Sequence, residues 1–271
     1  MFLQIETNIK CTAHCSFCPH DIVTPRPDMP REMIAKIISE TKDYASTIFL
    51  SLYQEPLLEP RLLQILTMAK KLNPSATTAI SSNMAEMTPE KADVIIESGV
   101  LDLIYISFFG PTKELYRKYQ PVLDWDTTRE NIRYFLASAK GKVQTVMNYL
   151  DIPDLMLYWD GFKNEWGERA DKVAVIKYES YGGSYRHQEY YKETRGMCIR
   201  PWQGITVLSD GKVVPCNLDF NGTVSFGNAF SQNVMDIWTG EKAETFRKFH
   251  TDGKYDLLPG ICQRCEAWKK P

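Results

Sequence analysis

Seven cysteines dominate the chemistry in this 271-residue sequence, and they are unevenly placed: 11, 15 and 18, then none until 198, 216, 262 and 265. Cys11-Thr12-Ala13-His14-Cys15-Ser16-Phe17-Cys18 is a CxxxCxxC stretch. Three thiolates on one short loop can hold three corners of a cubic iron–sulfur cluster and leave the fourth iron open to a small chelating ligand, whereas structural zinc sites use four closed ligands. His14 and His20 read as exposed loop histidines. Cys198 and Cys216 flank a predicted hairpin, and Cys262-Gln263-Arg264-Cys265 is a CxxC. Four thiolates so arranged would close a zinc site or a 4Fe–4S cluster equally well. An odd, clustered count favours metal or redox chemistry over disulfides.

The cysteines must be carried by a regular frame. Strands are expected at Leu3–Thr7, Thr47–Leu52, Thr77–Ser81, Leu103–Ser107, Val143–Tyr149 and Val173–Tyr178. The stretches between them read as helices. Met33, Ile34, Ile37 and Ile38 form one apolar stripe, and Leu62, Leu63, Ile65, Leu66 and Ala69 another. Thr88-Pro89-Glu90 is an N-cap signal, with Gly99 as the stop, and Thr127 to Glu130 reads as a capping box. A less regular segment, with Tyr158, Trp159, Phe162 and Trp166 on one side, fills the fifth gap. Six strands alternating with five helical segments predict a parallel sheet, open or partly closed, with its site at the C-terminal strand ends. The first cysteine stretch sits at such an end. After a polar, Gly-bearing linker near 182, Asp210-Gly211 between two β-runs signals a hairpin, and a helical region follows at Val234–Phe249.

Lys and Arg total 32 against 34 Asp and Glu, which gives no reason to expect general nucleic-acid or anionic-membrane binding. No apolar run approaches a membrane span, and the N-terminus lacks a signal-peptide layout, so the expected location is the cytoplasm.

CxxxCxxC directly after the first strand of a βα-repeat chain resembles the radical S-adenosylmethionine (radical SAM) superfamily. Secondary motifs occur in order: Leu52-Tyr53-Gln54-Glu55-Pro56-Leu57-Leu58 resembles the GGEPLL segment, with Tyr53 and Gln54 replacing glycines. Ser82-Asn83 resembles TNG, with Met84 replacing glycine, and Ser107 lies in an S-x-x-G-like segment. The resemblance implies a partial (β/α)6 TIM barrel and a SAM-binding 4Fe–4S cluster on Cys11, Cys15 and Cys18. It also implies cofactor contacts from Phe17, Tyr53, Gln54, Glu55, Asn83 and Ser107. Cys198-Ile-Arg-Pro201-Trp202, the stretch from Ser209 to Phe220, Gly227-Asn228, Ile237-Trp238 and Arg247, with the final CxxC, look like the SPASM/twitch extension. Asn217, where many relatives carry another cysteine, and the end of the sequence six residues after Cys265 match the shorter twitch form. That form implies one auxiliary 4Fe–4S cluster on Cys198, Cys216, Cys262 and Cys265. The expected domains are 1–190 (barrel) and 191–271 (a small hairpin-plus-helix iron–sulfur domain).

Three cysteines for one cluster and four for the other leave no free thiol. Related epimerases often return hydrogen from a spare cysteine, so the count favours net two-electron oxidation, similar to the twitch-containing aminocyclitol dehydrogenases. The expected activity is a dehydrogenase-type oxidoreductase acting on a small polyol, aminosugar or nucleoside-like molecule, reduced by an external donor such as flavodoxin or ferredoxin. Candidates for the base that takes the hydroxyl proton are Tyr149, Glu179, Tyr181, Arg186 and His187, and Asn217 and Asp219 are further candidates to face the cavity. The alternatives are radical epimerisation, fragmentation or cross-linking of a peptide or nucleoside, and a non-catalytic iron–sulfur or zinc protein. With ten residues before Cys11, no peptide-recognition domain is expected ahead of it.

Overall fold

The structure is a computed structural model that describes residues 1–184 and 195–268. Six strands alternate with helices: β1 (Phe2–Ile5), α1 (Arg31–Thr41), β2 (Thr47–Phe49), α2 (Leu62–Leu72), β3 (Thr77–Ser82), α3 (Pro89–Ser98), β4 (Leu103–Ser107), α4 (Lys113–Tyr119), α5 (Trp125–Ala139), β5 (Gln144–Asp151), α6 (Pro153–Met156), α7 (Trp159–Trp166) and β6 (Lys172–Lys177). The C-terminal part adds α8 (Arg200–Gln203), β7 (Gly204–Val207), β8 (Lys212–Val214), β9 (Gly227–Asn228), α9 (Val234–Thr239), α10 (Glu241–Thr251) and α11 (Gly260–Arg264).

All the strands join one sheet in the order β6-β5-β4-β3-β2-β1-β7-β8-β9. Neighbours from β6 through β1 to β7 run parallel, and β8 and β9 are antiparallel. The hairpin expected around Asp210-Gly211 is therefore present, and its first strand continues the barrel sheet, with Phe2 opposite Gly204 and Ile5 opposite Val207. Gly204 is required at this seam: a Cβ there would lie 2.5 Å from the Phe2 carbonyl oxygen and 2.4 Å from its ring. Gly211 is required at the hairpin tip, where φ is +85° and a Cβ would meet Asn228 Oδ1 at 2.5 Å.

Strand parity assigns the two faces. Leu3 and Ile5 of β1 and Ile80 of β3 are buried in the main core, together with Ile34, Ile37 and Ile38 of α1 and Ile65 and Leu66 of α2. Each fully buried aliphatic side chain contributes about 1.5–3 kcal/mol. The opposite, inner face carries Gln4, Glu6, Ser81, Ser107 and Asn148, a polar row at the C-terminal strand ends.

Several local expectations need correction. β2 ends at Phe49, because the chain then turns through Glu55 into a 3-10 turn at Pro56–Leu58. The N-cap of α5 is Asp124, whose side chain accepts from Thr127 N, so Thr127 lies inside the first turn and α4 forms separately before it. The segment after β5 is two short helices; Phe162 and Trp166 are buried while Tyr158 is 45% exposed. Gly240 divides the Val234–Phe249 region into α9 and α10.

Candidate cluster and cofactor site

The first cysteine loop leaves the end of β1 and is fixed mainly by backbone hydrogen bonds. Glu55 N donates to Lys10 O (2.8 Å), Ser16 N to Tyr119 O (3.1 Å), and Cys18 N to Cys15 O (3.0 Å). His14 Nδ1 lies 2.7 Å from Asp21 Oδ1 and His20 Nε2 lies 2.8 Å from Ile9 O, so both rings brace the loop. Phe17 packs edge-on against Phe109 at 5.1 Å. Burial raises all three thiols; the Glu55 and Asp21 carboxylates add to it at Cys11, and neighbouring cysteines add to it at Cys15 and at Cys18, which is pushed up to about 12. Three crowded, partly buried sulfurs become thiolates only beside a compensating cation, which is what an iron–sulfur cluster provides. Among the described residues, no three His, Cys, Asp or Glu side chains converge on a single-ion site. A four-iron cube keeps its ligand sulfurs farther apart than one ion does.

The loop after β2 is built around Glu55. Its carboxylate accepts from Leu57 N (3.0 Å), Ser82 Oγ (2.7 Å) and Asn83 N (2.8 Å), tying this loop to the end of β3. Burial pushes its carboxyl up to about 7, against the pull of those three donors. Gln54 Oε1 accepts from Leu52 N (2.9 Å) and shapes the turn, while Asn83 Oδ1 accepts from Ala85 N (2.9 Å). Ser107 Oγ lies 3.3 Å from Ser81 Oγ. Beside Ser107 in the sheet is Asn148, buried, with no partner for its Oδ1 among the described residues. The sequence reading missed Asn148. The available signal was a lone amide in the apolar run Val146-Met147-Asn148-Tyr149.

Tyr53 departs from the glycine it replaces by reaching across the molecule. Its hydroxyl donates to the Asn217 carbonyl, and its ring meets Phe220 at 6.2 Å and Tyr181 at 6.4 Å. With Val23, Ile9 and Leu52 these rings form a hydrophobic cluster separate from the main core. The cluster packs the first cysteine loop against the loop after Cys216. A second tie is an ion pair: Arg26 grips Glu6 with both Nε (2.9 Å) and Nη2 (2.8 Å), and its Nη1 donates to Phe220 O (3.0 Å).

Cys198, Cys216, Cys262 and Cys265 are free and partly buried. Burial raises the first three, with charges of the other cysteines in this set adding; Cys216 is pushed up to about 12. The donor set again suits a compensating cluster. Asp219 lines a cavity with Gly182, Phe220, Ile261 and Arg264, and its carboxylate accepts from Thr223 N (2.9 Å), Thr223 Oγ1 (2.8 Å) and Val224 N (2.8 Å) and so closes its own loop.

The candidate bases separate. Tyr149 points to the helical layer, since its hydroxyl donates to Leu155 O and its ring packs on Phe162 at 4.4 Å. As core filling it is corrected out of the site, because side chains on a strand alternate between faces. Glu179 pairs with Arg200, whose other Nη donates to Asn217 Oδ1 (3.0 Å). Burial raises the Glu179 carboxyl, and Arg200 and then Lys177 hold it back. Tyr181 lies beside Tyr53. Arg186 and His187 are outside the described residues. Arg200 was also missed, although a cation two residues after Cys198 was visible in the sequence.

The chain is similar to known proteins along most of its length. Residues 5–155 match the Radical SAM superfamily, and residues 198–266 match the SPASM iron–sulfur cluster-binding domain. The chain is 26% identical over 273 residues to the S-adenosyl-L-methionine-dependent 2-deoxy-scyllo-inosamine dehydrogenase of Niallia circulans, covering 97% of this chain and 91% of that one. The dehydrogenase-type oxidoreductase reading is supported by that relative's name. Similar solved structures include BtrN in complex with AdoMet and 2-DOIA (TM-score 0.67, 20% identity, 98% of this chain and 93% of that one). Others are Streptococcus suis SuiB bound to precursor peptide SuiA (0.75, 17%, 97% and 70%) and anSMEcpe with bound AdoMet (0.72, 15%, 99% and 90%). Among the described residues no helix is long and apolar enough to cross a membrane. With more than half its length matched, and with the cysteine loop at the end of its first barrel strand, the chain belongs to the radical SAM superfamily and carries a SPASM-type iron–sulfur domain.

Proposed function

We propose that this enzyme oxidises a secondary alcohol of a small polyol, aminosugar or nucleoside-like substrate to a ketone, removing two electrons. In this reading Cys11, Cys15 and Cys18 hold a 4Fe–4S cluster that binds SAM, and Cys198, Cys216, Cys262 and Cys265 hold an auxiliary 4Fe–4S cluster. Residues 1–190 form the barrel unit and 191–271 the auxiliary unit. When bound, these groups supply a hydrogen-abstracting 5′-deoxyadenosyl radical and an acceptor for the remaining electron. Glu179 takes the hydroxyl proton, and Arg200 holds its carboxylate in place. A raised carboxyl suits this role, because a base with a higher pKa accepts a proton more readily. Phe17, Tyr53, Gln54, Glu55, Asn83 and Ser107 shape the cofactor side. Tyr53, Tyr181 and Phe220 keep water from the space between the two cysteine sets. A one-electron donor such as flavodoxin or ferredoxin supplies the reducing electron in a cytoplasmic setting.

The observation that carries the reading is the division of all seven cysteines into two sets, leaving no thiol to return a hydrogen atom. The name of the Niallia circulans relative supports oxidation of an aminocyclitol-like ring. The test is anaerobic turnover of reconstituted protein with SAM, dithionite and a panel of aminocyclitols and sugars. The expected result is a product two hydrogens lighter, from protein holding about eight irons per chain. An inverted product of unchanged mass overturns the oxidation, and two zincs without SAM cleavage overturn the enzyme reading.

A further inference from the structure

The geometry points to Arg195 as a positioning residue that sets the reduction potential of the auxiliary cluster through its positive charge at the final CxxC loop. This inference rests on the two-cluster reading above. Arg195 Nη1 donates to the carbonyl oxygens of Cys262, Cys265 (3.3 Å) and Gln263 (3.4 Å). Its guanidinium lies over the rings of Tyr255 at 5.6 Å and Trp268 at 5.8 Å. Its Nε is buried with no partner among the described residues.

Two contrasts make charge the operative property. The first is with Arg200, another guanidinium near these cysteines, which is paired with the Glu179 carboxylate. Among the described residues no carboxylate lies within ion-pair distance of Arg195, whose hydrogen bonds all go to neutral carbonyls. The second concerns the loop itself, which has other supports. Gln263 Nε2 donates to Asp256 O (2.8 Å) and Leu258 O (2.7 Å), and Cys262 N donates to Pro259 O (2.8 Å). Reduction adds one negative charge to a cluster already ringed by four thiolates. A nearby cation walled in by aromatic rings stabilises that added charge more than the oxidised state, so it raises the potential.

The experiment compares the wild-type chain with Arg195→Gln and Arg195→Lys, each reconstituted anaerobically, by iron analysis and by redox titration of both clusters followed by electron paramagnetic resonance. Arg195→Gln is expected to lower the reduced-to-oxidised ratio of the auxiliary cluster about tenfold at fixed potential, roughly 59 mV for one electron. The SAM-binding cluster is expected to stay unchanged, and Arg195→Lys to restore the wild-type auxiliary potential. An Arg195→Gln protein with both clusters and a wild-type auxiliary potential overturns the inference, as does a lysine variant that behaves like glutamine. If Arg195→Gln loses only the auxiliary iron, retention at the wild-type potential in Arg195→Lys supports the charge role, and loss in both variants overturns it. A wild-type chain with only about four irons refutes the two-cluster reading itself, before any variant is made.

Discussion

Arg26→Met would remove the cationic partner of a carboxylate that is shut off from solvent. The Glu6 side chain is 0% exposed and that of Arg26 4%. At 2.8 Å, with an effective dielectric of about 20, the two charges attract by roughly 6 kcal/mol, which offsets the cost of burying both. Methionine fills a similar volume but leaves Glu6 desolvated and, among the described residues, held by the Ser209 N–H alone (3.1 Å), and the Phe220 carbonyl loses its donor. The expected loss is about 3–5 kcal/mol, or roughly 10 °C in melting temperature for a chain of this size. Urea and thermal unfolding followed by circular dichroism would measure it. The double variant Glu6→Gln/Arg26→Met should recover at least half of the loss, because the glutamine amide oxygen can still accept from Ser209. A single-variant loss under about 1 kcal/mol, as for surface pairs, or a double variant no more stable than the single, would refute the reasoning.

Further outcomes are expected. Burial would push the Glu59 carboxyl up, but the Arg61 guanidinium and the Asn8 amide outweigh it and hold it at about 2, below the ordinary 4.5. That contribution is full above pH 4.5 and is lost as pH falls through 2. Glu59→Gln should therefore be less stable by about 3 kcal/mol at pH 7, with urea midpoints converging on wild type in acid. Gly204→Ala places a methyl against Phe2 at the β1–β7 seam and should cost about 1–3 kcal/mol by thermal unfolding; an unchanged midpoint would mean the seam has slack. Glu179→Gln should slow ketone formation by roughly 10²–10⁴ while 5′-deoxyadenosine is still released. In wild type the rate should climb with pH as the raised Glu179 carboxyl ionises, and in the variant this step should vanish. Equal loss of both products would place Glu179 outside the proton transfer.

What the amino-acid order determined by itself is local. CxxxCxxC closes its own loop through Cys18 N to Cys15 O, the Asp210-Gly211 turn needs only the positive φ of Gly211, and Thr88-Pro89 starts α3 through a cap three residues away. Hydrophobic runs likewise placed all six barrel strands, because period and composition act within a few residues. Tertiary structure decided which face each side chain serves. Tyr149 and Asn148 are neighbours in one strand, yet parity puts the tyrosine in the core and the amide on the polar face. It also decided what meets at long range. β7 pairs with β1 across two hundred residues, Glu6 finds Arg26, Glu179 finds Arg200, and Tyr53 finds Asn217. None of these partners shares a spacing or a motif. They are brought together by sheet order and loop closure, so they could be read only once the chain was folded.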